Sequence, residues 1–213
     1  MARPSTGTDK KLIEAGKKLA REDGVASLSA RSVCKEAGVN LGMFHYHFRN
    51  KKNFEHAVLK ELYAELMLKF APAVSGEGEP LEKLRRALFT LACFVRENRG
   101  VIVPLARDIL SGNRETLLFV KKNFTAHVRL LVGLIEECRK KKMIADYPLT
   151  VTLPMIVPAV LLPVAGVGVA ERLELGPFSP TAFSFVKNGI ISDSAIKTRI
   201  DLALRGLSPK GGV

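Results

Sequence analysis

The chain has 213 residues, 47% hydrophobic and 25% charged, a composition that excludes a disordered or low-complexity protein and is long enough to bury a sizeable core. Lys and Arg number 33 against 21 Asp and Glu, a net charge of +12, so polyanions are the favoured partners, nucleic acid first and anionic membrane second. Three scattered cysteines, Cys34, Cys93 and Cys138, make neither a disulfide framework nor a zinc signature, and MARPSTGTDKK lacks the apolar core of a signal peptide; a reducing cytoplasm is expected.

Residues 9–23 place Leu12, Ile13, Gly16, Leu19 and Ala20 on one face at helical spacing, with Thr6 or Thr8 as the start and Gly24 as the stop. Ser29 opens a second helix, ARSVCKEA, which stops at Gly38. Asn40 caps a short third one, LGMFHYHF, and Asn50 a fourth from Lys51 to about Phe70 with Phe54, Val58, Leu62 and Leu66 on one face. Pro72 and SGEGEP break the pattern. Helices follow over 81–98, 101–110 (with Pro104 as an interruption), 114–142 and 193–207, around an apolar, proline-punctuated stretch at 148–170. No alternating strand pattern stands out, so the fold class is all-α: an N-terminal three-helix bundle over 1–54 and a larger helical domain over 55–213. Residues 1–60 carry +6, and the remaining 153 carry the other +6, so the small domain is the more densely charged.

The turn at Gly38 is a helix-turn-helix signal. Gly38 supplies a left-handed stop, small Cys34 lets two helices cross closely, and Val33, Ala37, Val39, Phe44 and Phe48 make a shared core. Winding the third helix at 100° per residue puts Phe44 and Phe48 on one side, with His47 at their edge. Gly42, His45, Tyr46 and Arg49 fall together on the other, and Lys51 and Lys52 follow. A face with a glycine, hydrogen-bonding rings and an arginine suits the major groove. His45 and His47 are two residues apart, about 200° around a helix, and cannot share a metal ion. No metal site, cofactor or catalytic constellation is expected. Arg3, Lys10 and Lys11 either follow phosphates or belong to a solvated tail.

These residues resemble the DNA-binding domain of the TetR family of bacterial transcriptional regulators. The matching features are the first helix ending at Gly24, Ser29, Ala37-Gly38-Val39-Asn40, Phe44-His45-Tyr46-His47-Phe48, Asn50-Lys51 and Phe54. The resemblance implies a cytoplasmic homodimer on a palindromic duplex operator, a repressor released by a small-molecule effector, and no enzyme activity. It makes Arg31 a base or phosphate contact, Leu41, Gly42 and His45 base-facing, and Tyr46, His47 and Lys51 backbone contacts. Met43 stands where a threonine is common and His45 where a tyrosine is usual. Leu41 has a helical phase that leans toward packing but is open to a thymine methyl. The competing reading is a helical small-molecule binder whose helix-turn-helix no longer reads DNA.

In the larger domain Phe89, Cys93, Phe94, Val103, Leu110, Phe119, Phe124 and Met155 are lining candidates for an apolar pocket, with Arg107 and His127 as polar partners. Ordinary core is the plainer reading for any one of them. The stretch 147–170 has no charge and is long enough to span a bilayer, but Pro154, Pro158 and Pro163 favour a kinked helix, buried on every side at a dimer interface with 193–207.

Overall fold

The computed structural model describes residues 7–172 and 187–209, with backbone only for 168–172. The helices are α1 (Thr8–Asp23), α2 (Ala30–Ala37), α3 (Leu41–Phe48), α4 (Lys51–Ser75), α5 (Pro80–Glu97), α6 (Arg99–Leu110), α7 (Arg114–Asn123), α8 (Ala126–Lys140), α9 (Leu149–Arg172) and, last in the chain, α10 (Asp193–Arg205). No strand occurs among the described residues, so the protein is all-α. It divides into two compact units, one of residues 1–65 with 100–113, the other of 66–99 with 114–213.

In the first unit α1, α2 and α3 pack against one another. Leu12 and Ala20 of α1 are fully buried, as are Phe54 and Val58 of α4. Gly16 is what lets α1 and α4 approach so closely. A Cβ built there would stand 2.6 Å from the Phe54 ring and 2.8 Å from Val58. The buried Lys17 joins the same two helices by ion pairs with Glu14 and Glu65. Desolvation, the largest single influence, lowers its pKa. Hydrogen bonds and attraction from the two carboxylates together outweigh this, and the ammonium ends above its ordinary value. The cap of α1 is Gly7 in a left-handed conformation, not Thr8, which lies inside the helix; Thr6 is outside the described residues.

In the second unit α5 packs with α8, α9 and α10, and α9 packs with α10. Leu84, Leu88, Ile135, Ile156, Val160 and Ile196 are fully buried there. Two sequence expectations need correction. Pro72 and Pro104 do not interrupt their helices: α4 runs through the first and α6 through the second. α9 runs through Pro154, Pro158 and Pro163 as the one helix expected there. A proline removes one donor and frees one carbonyl four residues earlier. In α9 those carbonyls belong to Thr150, Pro154 and Ala159, all on exposed residues. Second, 114–142 is two helices. The Asn123 amide donates to the Phe119 carbonyl at 2.7 Å and the Phe119 and Phe124 rings meet edge-on at 5.3 Å, which closes α7 before α8 begins. Within its own chain α9 is buried on one face.

Candidate nucleic-acid interface

Local chemistry builds the turn. Ser29 accepts from the Ser32 amide at 3.0 Å while Ser32 accepts from the Ser29 amide at 3.2 Å, a capping box that starts α2. Gly38 ends α2 at φ 63°, the left-handed conformation a glycine adopts without strain. The Asn40 side chain then accepts from the Met43 amide at 3.2 Å and starts α3. Val33 and Phe44 are buried between the helices, and Phe44 and Phe48 pack their rings on Phe54 at 4.9 and 4.8 Å. This aromatic wedge fixes which face of α3 looks outward.

That face is the one the sequence pattern selects. Gly42, His45, Tyr46 and Arg49 are all exposed, Tyr46 at 74%. Leu41 is 40% exposed, which corrects the leaning toward packing: as the first residue of α3 it has no preceding turn to cover it. Arg31 on α2 is exposed, as are Lys10 and Lys11 on α1; Arg3 lies outside the described residues. His47 is half-buried. Its Nε2 is enclosed with no hydrogen-bond partner. Lys51 is exposed but engaged: Nζ donates to the Ala26 carbonyl at 2.7 Å and lies 3.6 Å from Glu55.

Sequence reasoning missed the backbone at Arg49. It sits at φ 65°, ψ −49°, and Asn50 N donates to the Phe48 carbonyl at 2.7 Å across it. This is the strained form of the three-residue turn, uncommon for a residue with a Cβ. It ends α3 abruptly and keeps Arg49 on the outward face. No local composition signal announces it.

The pocket candidates do not fall into one described cavity. Val103 and Arg107 belong to the first unit; Val103 is half-buried, and Arg107 is exposed and bonds Asp108 at 3.0 Å. In the second unit Phe89 lines a surface cleft of about 380 Å³ with Glu82, Arg85, Arg86, Lys197, Ile200 and Asp201, and the Lys197 ammonium lies 5.3 Å over its ring. Cys93 and Phe94 are half-buried; burial pushes the Cys93 thiol up despite Arg96 beside it. Phe119 and Phe124 pair with each other. His127 meets the Phe70 ring edge-on at 6.3 Å, and burial lowers its pKa. Met155 is 41% exposed on α9. Among the described residues no group of three or more His, Cys, Asp or Glu side chains is placed to hold a metal ion.

Comparison with known proteins agrees with this geometry. Residues 12–58 match the family of bacterial regulatory proteins called the tetR family. The HTH-type transcriptional regulator HbdR of Aromatoleum sp. (strain CIB) is 24% identical over 142 residues, 63% of this chain and 62% of that one, so the chain spans about three-fifths of this relative's length. The solved structure of HlyIIR, a hemolysin II transcriptional regulator, superposes with a TM-score of 0.60 at 22% identity, covering 95% of this chain and 98% of that one. PfmR of Thermus thermophilus gives 0.61 at 20% identity, covering 92% and 98%. Residues 12–58 thus match the DNA-binding segment of the tetR family of bacterial regulatory proteins, and the chain's fold is similar to that of solved transcriptional regulators.

Proposed function

We propose that the protein is a cytoplasmic, ligand-responsive repressor without enzyme activity, which binds a palindromic operator as a homodimer and leaves it when a small apolar molecule binds. The observation that carries the DNA half is the outward face of α3. Gly42, His45, Tyr46 and Arg49 are exposed together while Phe44 anchors the opposite side. Gly42 brings the backbone close to a groove edge, and the side chains donate, accept or stack. Arg31, Leu41, His47 and Lys51 complete the contact surface.

The dimer half is supported by α9. Its buried stripe is Thr152, Ile156, Val160 and Val164, and the opposite side leaves Val151, Met155 and Leu162 exposed, with Leu202 of α10 exposed as well. α9 meets the length and hydropathy of a bilayer-crossing helix over Leu149–Val167. A second copy of the same stripe accounts for that surface without a membrane, since one side of the helix already packs in protein. The effector reading follows from the family resemblance and the half-buried aromatic residues of the second unit. Release is then a population shift, whose leverage is the effector's differential affinity for the two states, about 1–3 kcal/mol for typical coupling.

Fluorescence anisotropy with the DNA upstream of the protein's own gene tests the reading. Tight binding that weakens steeply with salt supports it. Failure to bind any duplex would leave the small-molecule-binding reading in its place.

A further inference from the structure

Built on the assignment of α3 to the major groove, one hydrogen bond specifies what His45 can read. His45 Nδ1 lies 3.4 Å from the Arg49 carbonyl oxygen. A carbonyl only accepts, so the proton of this bond is on Nδ1. A neutral imidazole has one such proton, and Nε2 is left as a bare acceptor. The Phe44 ring meets the imidazole edge-on at 5.6 Å and restrains it from the other direction. The strained turn at Arg49 sets the position of the carbonyl that holds the ring.

Groove chemistry then divides the bases. Guanine N7 and O6, adenine N7 and thymine O4 are acceptors and repel an acceptor nitrogen. Only adenine N6 and cytosine N4 carry amino donors in the major groove. We propose that His45 is a specificity residue that accepts from an exocyclic amino group, adenine N6 or cytosine N4, through Nε2, while its Nδ1 is committed to the Arg49 carbonyl. An arginine or a tyrosine hydroxyl at this position would be free to donate to guanine or thymine; this histidine is not.

The test is single-atom editing of a selected operator. Selection from a random duplex library defines the site, and His45→Ala identifies the base pair whose preference depends on His45. At that pair, an analogue lacking only the exocyclic amino group should weaken the wild-type protein about tenfold and leave His45→Ala unaffected. A 7-deaza purine, which lacks only the N7 acceptor, should leave both proteins unaffected. His45→Arg should move the preference toward guanine. Loss of binding on the 7-deaza analogue together with tolerance of the amino deletion would overturn the inference, since His45 would then be donating. Unchanged preference at every position in His45→Ala would also overturn it; the groove assignment of α3 then stands if Tyr46→Ala still loses binding. No duplex binding by the wild-type protein would remove the assignment of α3 and this inference with it.

Discussion

Two helices leave a face uncovered, and they differ in what can cover it. α3 turns out Gly42, His45, Tyr46 and Arg49; α9 turns out Val151, Met155 and Leu162. Each is anchored on the opposite side, by Phe44 in one case and by Ile156, Val160 and Val164 in the other. The first face is able to exchange hydrogen bonds to water for hydrogen bonds to phosphates and base edges, at little net loss. The second has nothing to exchange and gains only by removing aliphatic surface from water. The chemistry of an exposed face, more than its exposure, identifies the class of partner.

The largest expected effect breaks the α9 side of this comparison. Leu162 is 65% exposed on this face, and the proposed dimer would bury two copies of it. Leu162→Glu should forfeit about 1.5–3 kcal/mol per copy, raising the dimer dissociation constant a hundredfold or more, read by analytical ultracentrifugation. The folded subunit should survive, with its circular dichroism unchanged. Val160, which the bare sequence puts in the same stretch, is fully buried inside its own subunit. Val160→Glu should therefore unfold the subunit instead of dissociating it. An intact Leu162→Glu dimer at nanomolar concentration would remove α9 from the interface.

On the α3 side, Tyr46→Ala should cost roughly 1–3 kcal/mol of operator affinity, or about ten- to a hundredfold, if it removes the proposed hydrogen bond to a charged phosphate. The ring is so exposed that folding stability should move by less than about 0.5 kcal/mol. Lys51→Ala should weaken binding to all sequences alike and flatten the salt dependence by about one unit of log–log slope. A loss confined to one operator sequence would contradict the phosphate role. Salt also separates the two faces directly: it should weaken the duplex complex and leave the dimer intact, because only the first releases counterions.

How much of this is legible in the sequence differs along the chain. The first unit reads almost residue by residue because its devices are local. Ser29, Gly38, Asn40 and Asn50 each act within three or four residues, and the wheel of α3 needs only eight. The larger unit reads less well because its devices are not local. Pro104 and the three prolines of α9 are helix breakers by propensity, yet packing of the flanking turns holds the helices continuous. The split between α7 and α8 depends on Asn123 and a pair of phenylalanines, which no periodicity shows. The exposed half of α9 is invisible in a stretch that is apolar on every side. Residue type alone does not say which of the pocket candidates share a cavity.

The smallest expected effect has opposite signs on folding and on binding. Arg49 at φ 65° stores strain of about 1–3 kcal/mol, and Gly adopts that conformation freely. Part of the relief is lost because a glycine also frees the unfolded chain, by roughly 0.5–1 kcal/mol. Arg49→Gly should thus stabilise the protein by up to about 2.5 kcal/mol in urea unfolding. It keeps the carbonyl that holds His45 and removes only the guanidinium. Operator affinity should fall severalfold at every sequence, with the base preference at the His45 position retained. A variant that is both more stable and equally tight on DNA would show that the turn serves only to end α3. One that loses the His45 preference as well would show that the strained backbone, and with it the direction of the carbonyl, depends on the arginine side chain itself.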